Sequence, residues 1–76
     1  MKSKKKFFKG FYVLPDGRKS KEIILDTREK LQPEIEKIAI EGMKIDGSKY
    51  CHIFVFNQFD CLEDKYKINK NGEEIQ

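Results

Sequence analysis

Seventy-six residues with a net charge of +3 and 38% charged side chains make one domain, 1–76, of a size that buries only about 60% of its unfolded surface. The longest apolar runs, residues 11–14 and 53–56, fall far short of the roughly 20 residues a bilayer span requires. Two cysteines, Cys51 and Cys61, are too few for a disulfide-stapled secreted scaffold, so free thiols and a cytoplasmic location are expected.

Charge is distributed unevenly. Residues 1–21 hold eight Lys/Arg against Asp16, a net of +7, and residues 22–76 hold eight against twelve acids, a net of −4, which together give the +3 of the whole chain. Such asymmetry marks a basic end, and residues 1–5 read as a flexible basic tail. Lysine outnumbers arginine fourteen to two, a bias that accompanies AT-rich coding and suits a small accessory protein of a phage or mobile element.

The first strand is expected over residues 6–14. Leu14-Pro15-Asp16-Gly17 ends it in a turn: proline presets φ at the second position, aspartate suits the third, and glycine accepts the left-handed conformation of a type I turn with a bulge. A second strand follows over residues 19–25, with Ile23 and Leu25 sharing one face.

Asp26 and Glu29 have capping-box spacing. Leu31, Ile35, Ile38, Ala39 and Gly42 then recur at intervals of three and four, the signature of one helical face, and predict a helix to about Glu41 that Gly42 ends. Pro33 places the helix start either near Gln32 or such that the proline sits in the first turn. Asp46-Gly47-Ser48 forms the next turn. Residues 49–58, β-branched and aromatic on both faces, read as a central strand. Beyond an irregular connection at 59–64, Tyr66 to Asn69 forms a short strand. Asn71-Gly72 is the signal of a two-residue hairpin leading to a last strand at 74–76.

The order is ββαββ with a fifth short strand. The fold class is therefore α+β: a small antiparallel or mixed sheet of four to five strands with one helix packed on one face. Six Phe and three Tyr dominate its hydrophobic content. Because the two best strands are apolar on both faces and one helix can cover one face, the other is left as an aromatic surface.

That surplus makes a non-enzymatic binding or inhibitor protein the leading functional expectation. Phe8, Tyr12, Phe54 and Phe56, or their opposite-face neighbours, form the partner-binding patch, which engages a protein or a second copy of the chain. The alternative is nucleic-acid binding through the basic N-terminal hairpin, with Lys4, Lys5, Lys6, Lys9, Arg18, Lys19 and Lys21 facing phosphates. Cys51-His52 and Asp60-Cys61 match no zinc spacing, and adjacent strand residues point to opposite faces, so no metal is expected. His52 could act as a general base only if Asp60 or Cys61 folded back beside it. No catalytic residue and no cofactor are assigned.

Overall fold

The structure, a computed structural model, describes residues 8–25 and 28–75, with side chains of the helix described from Leu31 onward. The elements are β1 (Phe8–Val13), β2 (Ile23–Leu25), α1 (Arg28–Asp46), β3 (Tyr50–Phe56), β4 (Leu62–Asn69) and β5 (Glu74–Ile75). They form a five-stranded sheet in the order β2-β1-β3-β4-β5, every neighbouring pair antiparallel. The fold is α+β, as expected, and the alternative of a mixed sheet is excluded. The anticipated tail, including Lys4, Lys5 and Lys6, lies outside the described residues.

The strand with apolar residues on both faces, β3, occupies the middle of the sheet. Cys51, Ile53 and Val55 alternate inward and are fully buried, because successive side chains of a strand point to opposite faces. The helix runs across β1, β2 and β3 and buries Leu31, Ile35, Ala39 and Met43 against them. Their spacing of four keeps one stripe toward the sheet. Tyr12 and Leu14 of the first hairpin and Ile68 of β4 complete the core, with Phe8, Ile23, Leu25, Ile40 and Tyr66 packed at its margin.

The helix departs from expectation at both ends. Pro33 lies in its second turn, where the missing N–H removes one intrahelical hydrogen bond. At the other end the helix passes Gly42 and stops at Gly47, whose φ is +75°. The Ser48 N–H reaches back to the Met43 carbonyl at 3.0 Å, the six-to-one bond of a Schellman cap. Gly42 has a tertiary role instead: a Cβ there would come within 2.3 Å of the Tyr12 hydroxyl oxygen. The missing side chain is the space into which Tyr12 packs.

All three hairpins use one turn geometry. Gly17, Asp60 and Gly72 donate their N–H to the carbonyls of Leu14, Asn57 and Asn69, and the N–H groups of those three residues bond the carbonyls of Arg18, Cys61 and Glu73. This is a type I turn closed by a residue in the left-handed region, with φ of +95°, +63° and +86° at the three closing positions. Asn71-Gly72 therefore forms a three-residue loop rather than the expected two-residue turn. Asn57 and Asn69 brace the second and third loops identically, each Oδ1 accepting two loop N–H groups at 2.8–3.0 Å.

Candidate functional site

The strand register divides the sheet into a sealed face and an open one. Gly10, Tyr12, Ile53, Val55, Tyr66 and Ile68 are joined by the pairings Gly10↔Val55, Tyr12↔Ile53, Ile53↔Tyr66 and Cys51↔Ile68, and they lie under the helix. The alternate residues lie on the other face, which no described element covers. There Phe11 pairs with Phe54, and Lys9 with Phe56. Lys65 and Lys67 stand opposite Phe54 and His52, and Leu62 opposite Phe56. Ile24 extends the row beside Lys9.

The four residues expected to form one patch are thus separated. Phe54 and Phe56 lie on the open face. Tyr12 is buried on the sealed face and Phe8 packs at the core margin, so their place on the open face is taken by Phe11, the opposite-face neighbour. The physical reason is the alternation of β1: one position along a strand exchanges faces. The close approach of Ile35 to Gly10 decides which set turns inward. A Cβ at Gly10 would lie 2.3 Å from Ile35 Cδ1 and 2.7 Å from the Phe54 carbonyl oxygen, so the glycine set faces the helix.

Phe11, Phe54 and Phe56 form an offset-stacked column. The Phe11 ring lies 5.2 Å from Phe54 at an interplanar angle of 22° and 5.8 Å from Phe56 at 23°, the arrangement that ring quadrupoles favour. Farther along β3, His52 meets Tyr50 edge-on at 5.8 Å. Ile24 and Leu62 at the flanks are 59% and 51% exposed, which gives the column a water-facing apolar border.

Lysines accompany these rings one by one. Lys19 Nζ sits 4.3 Å above the Phe11 ring centre and Lys67 Nζ 5.0 Å above that of Tyr50, both within cation–π range. Lys9 Nζ contacts Asp60 at 2.5 Å and Glu22 at 3.9 Å. The Asp60 carboxylate, which accepts its hydrogen bond, holds the Lys9 ammonium above its ordinary pKa against the opposing effect of desolvation. Asp60 is also the non-glycine closer of its turn, so a left-handed backbone sits under the residue that anchors Lys9. A shallow groove of about 320 Å³ runs between Lys9, Phe11, Lys19, Glu22, Phe56 and Asp60.

The basic hairpin is less free than its composition suggests. Arg18 is held by Asp16 at 2.7 Å and by Asp46 at 2.9 Å, which ties the first turn to the end of the helix and neutralises a carboxylate at its negative pole. Lys21 is exposed in the segment before β2. Lys9 and Lys19 reach the open face, where Lys65 and Lys67 join them from β4. Sequence reasoning missed these last two because the face a strand lysine occupies is set by its register partner, which the residue order does not give.

The remaining candidates are dispersed. Cys51 is buried beneath the helix and His52 faces the opposite way. Asp60 and Cys61 lie in the turn beyond Phe56, four residues along β3 from His52, or about 13 Å by strand rise. Between the helix and β4, a cleft of about 390 Å³ is lined by Gln32, Glu36, Asp64, Tyr66 and Glu74 among others. Its polar groups serve the packing: the Tyr66 hydroxyl donates to Glu36 at 2.6 Å, and the Gln32 amide to Asp64 at 3.1 Å. Among the described residues no three His, Cys, Asp or Glu side chains gather as metal donors, and no helix is long and apolar enough to cross a membrane.

Comparison with protein families, with curated proteins and with solved structures finds no match to this chain.

Proposed function

We propose that this chain is a small non-enzymatic binding protein whose working surface is the open sheet face. The observation that carries the reading is the Phe11–Phe54–Phe56 column, bordered by exposed Ile24 and Leu62, on the side of the sheet away from the helix. Apolar area of this kind, gathered on one face of a small domain, is the physical mark of a docking surface. Packing on the sealed face does not require it. In this reading the partner meets Phe54 and Phe56, with Phe11 beside them.

Affinity capture from the source cell tests this reading, with the unaltered chain and a Phe54→Ser/Phe56→Ser variant as parallel baits. The variant's fold is checked by circular dichroism. A component, protein or nucleic acid, that is retained by the first bait and lost from the folded variant is the expected result. Identical eluates from the two baits overturn the reading.

A further inference from the structure

We infer that the partner of the open face is single-stranded nucleic acid; this inference rests on the reading of that face as the binding surface. A nucleotide carries one planar base and one anionic phosphate, and the face offers a matching pair at each step. Phe56 stands beside Lys9, Phe54 beside Lys65 and His52 beside Lys67 in register, and Lys19 lies over Phe11. From Tyr50 to Phe56 the strand spans about 20 Å. That length holds about three nucleotides at twice the 3.4 Å spacing of a stacked strand.

Charge complementarity selects this occupant. A second copy stacked face to face would bring Lys19, Lys65 and Lys67 of each chain against the same cations of the other, a repulsion that disfavours self-association. An anionic chain is drawn to the same three ammonium groups. A duplex hides its base faces within its own stack and would leave the ring column unused, whereas unpaired bases stack on aromatic side chains regardless of sequence. Asp60 and Glu22 both pair with Lys9. The carboxylate-rich cleft formed by Glu36, Asp64 and Glu74 is on the helix side.

The test is fluorescence anisotropy with labelled 12-mers of oligothymidylate and oligouridylate and with a DNA duplex of the same length. If Lys19, Lys65 and Lys67 each neutralise one phosphate, while Lys9 stays paired with Asp60, the logarithmic salt slope is about −2.1. Raising salt from about 50 to about 200 mM then weakens single-strand binding roughly twenty-fold. Phe54→Ala is expected to weaken it at least about five-fold. Lys65→Glu/Lys67→Glu, which alters exposed ends without touching the core, is expected to abolish binding at the higher salt. Lys37→Glu, on the exposed side of the helix, should leave it unchanged. The relative affinities for the two single strands assign the partner to DNA or RNA.

No binding of either single strand at about 50 mM salt overturns the inference, as does equal affinity for the duplex together with indifference to Phe54→Ala. In those cases, a protein captured by the unaltered bait but not by Phe54→Ser/Phe56→Ser would show that the face binds a protein: the inference falls and the proposed function stands. Eluates that do not depend on the face remove both.

Discussion

Ile53→Ala is expected to cost about 2–5 kcal/mol of stability, whereas Phe54→Ala, one residue along the same strand, costs about 1–2 kcal/mol although it deletes the larger side chain. Ile53 is fully buried between Tyr12, Tyr66 and the helix stripe. Truncating it removes transfer free energy and leaves a cavity that the surrounding core fills only in part. Phe54 loses its stacking with Phe11, worth about 0.5–1.5 kcal/mol, together with some strand preference, but opens no enclosed hole. In a domain of this size 1 kcal/mol corresponds to about 4–8 °C in Tm, so Ile53→Ala should melt at least about 8 °C below the parent. Thermal denaturation of the pair reads the difference directly. Equal losses would mean that the open face is packed as tightly as the sealed one.

The second large effect is alkaline destabilisation. Burial, with the Glu36 charge adding to it, pushes the Cys51 thiol up to about 11 from an ordinary value of 9.0. Below pH 9 both the folded and the unfolded chain keep this proton, and the stability it contributes is fully present. Between pH 9 and 11 the unfolded chain releases it while the folded chain retains it, so stability falls as pH rises. The fall is of the order of 2–3 kcal/mol at about 1.4 kcal/mol per unit. Tyr66 acts in the same direction from about pH 10 upward, since burial and its hydrogen bond to Glu36 raise its phenol well above the usual range. Denaturant titrations at pH 8, 9.5 and 11 should show the loss, and Cys51→Ala should remove the part that begins at pH 9. A parent protein equally stable at pH 8 and 11 would mean that Cys51 is accessible to water and lies outside the core.

Much of this architecture was legible from residue order. Leu31, Ile35 and Ala39 gave the helix face through their spacing. The two-faced apolar character of residues 50–56 placed β3 at the centre, and Pro15-Asp16-Gly17 specified the first hairpin with its bulge. The existence of a surplus aromatic face also followed, because a single helix covers one side of a sheet. Its membership did not. Phe11 and Tyr12 are neighbours of similar type, and only the fit of Gly10 beneath Ile35 decides that Tyr12 turns inward.

The other departures share this origin in contacts between distant residues. Gly42 and Gly47 are both plausible helix ends by local rules, and Gly42 is passed over because its missing Cβ accommodates Tyr12. The start of β4 at Leu62 was hidden because Leu62-Glu63-Asp64-Lys65 lacks a strand's usual composition and acquires its conformation by pairing with β3. The turn at Asn57 carries no glycine: Asp60 takes the left-handed position, a conformation that aspartate tolerates better than most residues. Lys65 and Lys67 became part of the candidate surface only once their register placed them beside Phe54 and His52.

The division of the sheet into a sealed face and a water-facing one is tested most directly by thiol labelling under native conditions. In a Cys61→Ser background, which removes the exposed native thiol, Phe54→Cys and Ile53→Cys are compared with the background itself. The account predicts that Phe54→Cys reacts at close to the rate of the unfolded chain and that Ile53→Cys, like native Cys51, is protected by orders of magnitude. Protection of both introduced thiols to the same degree would contradict it.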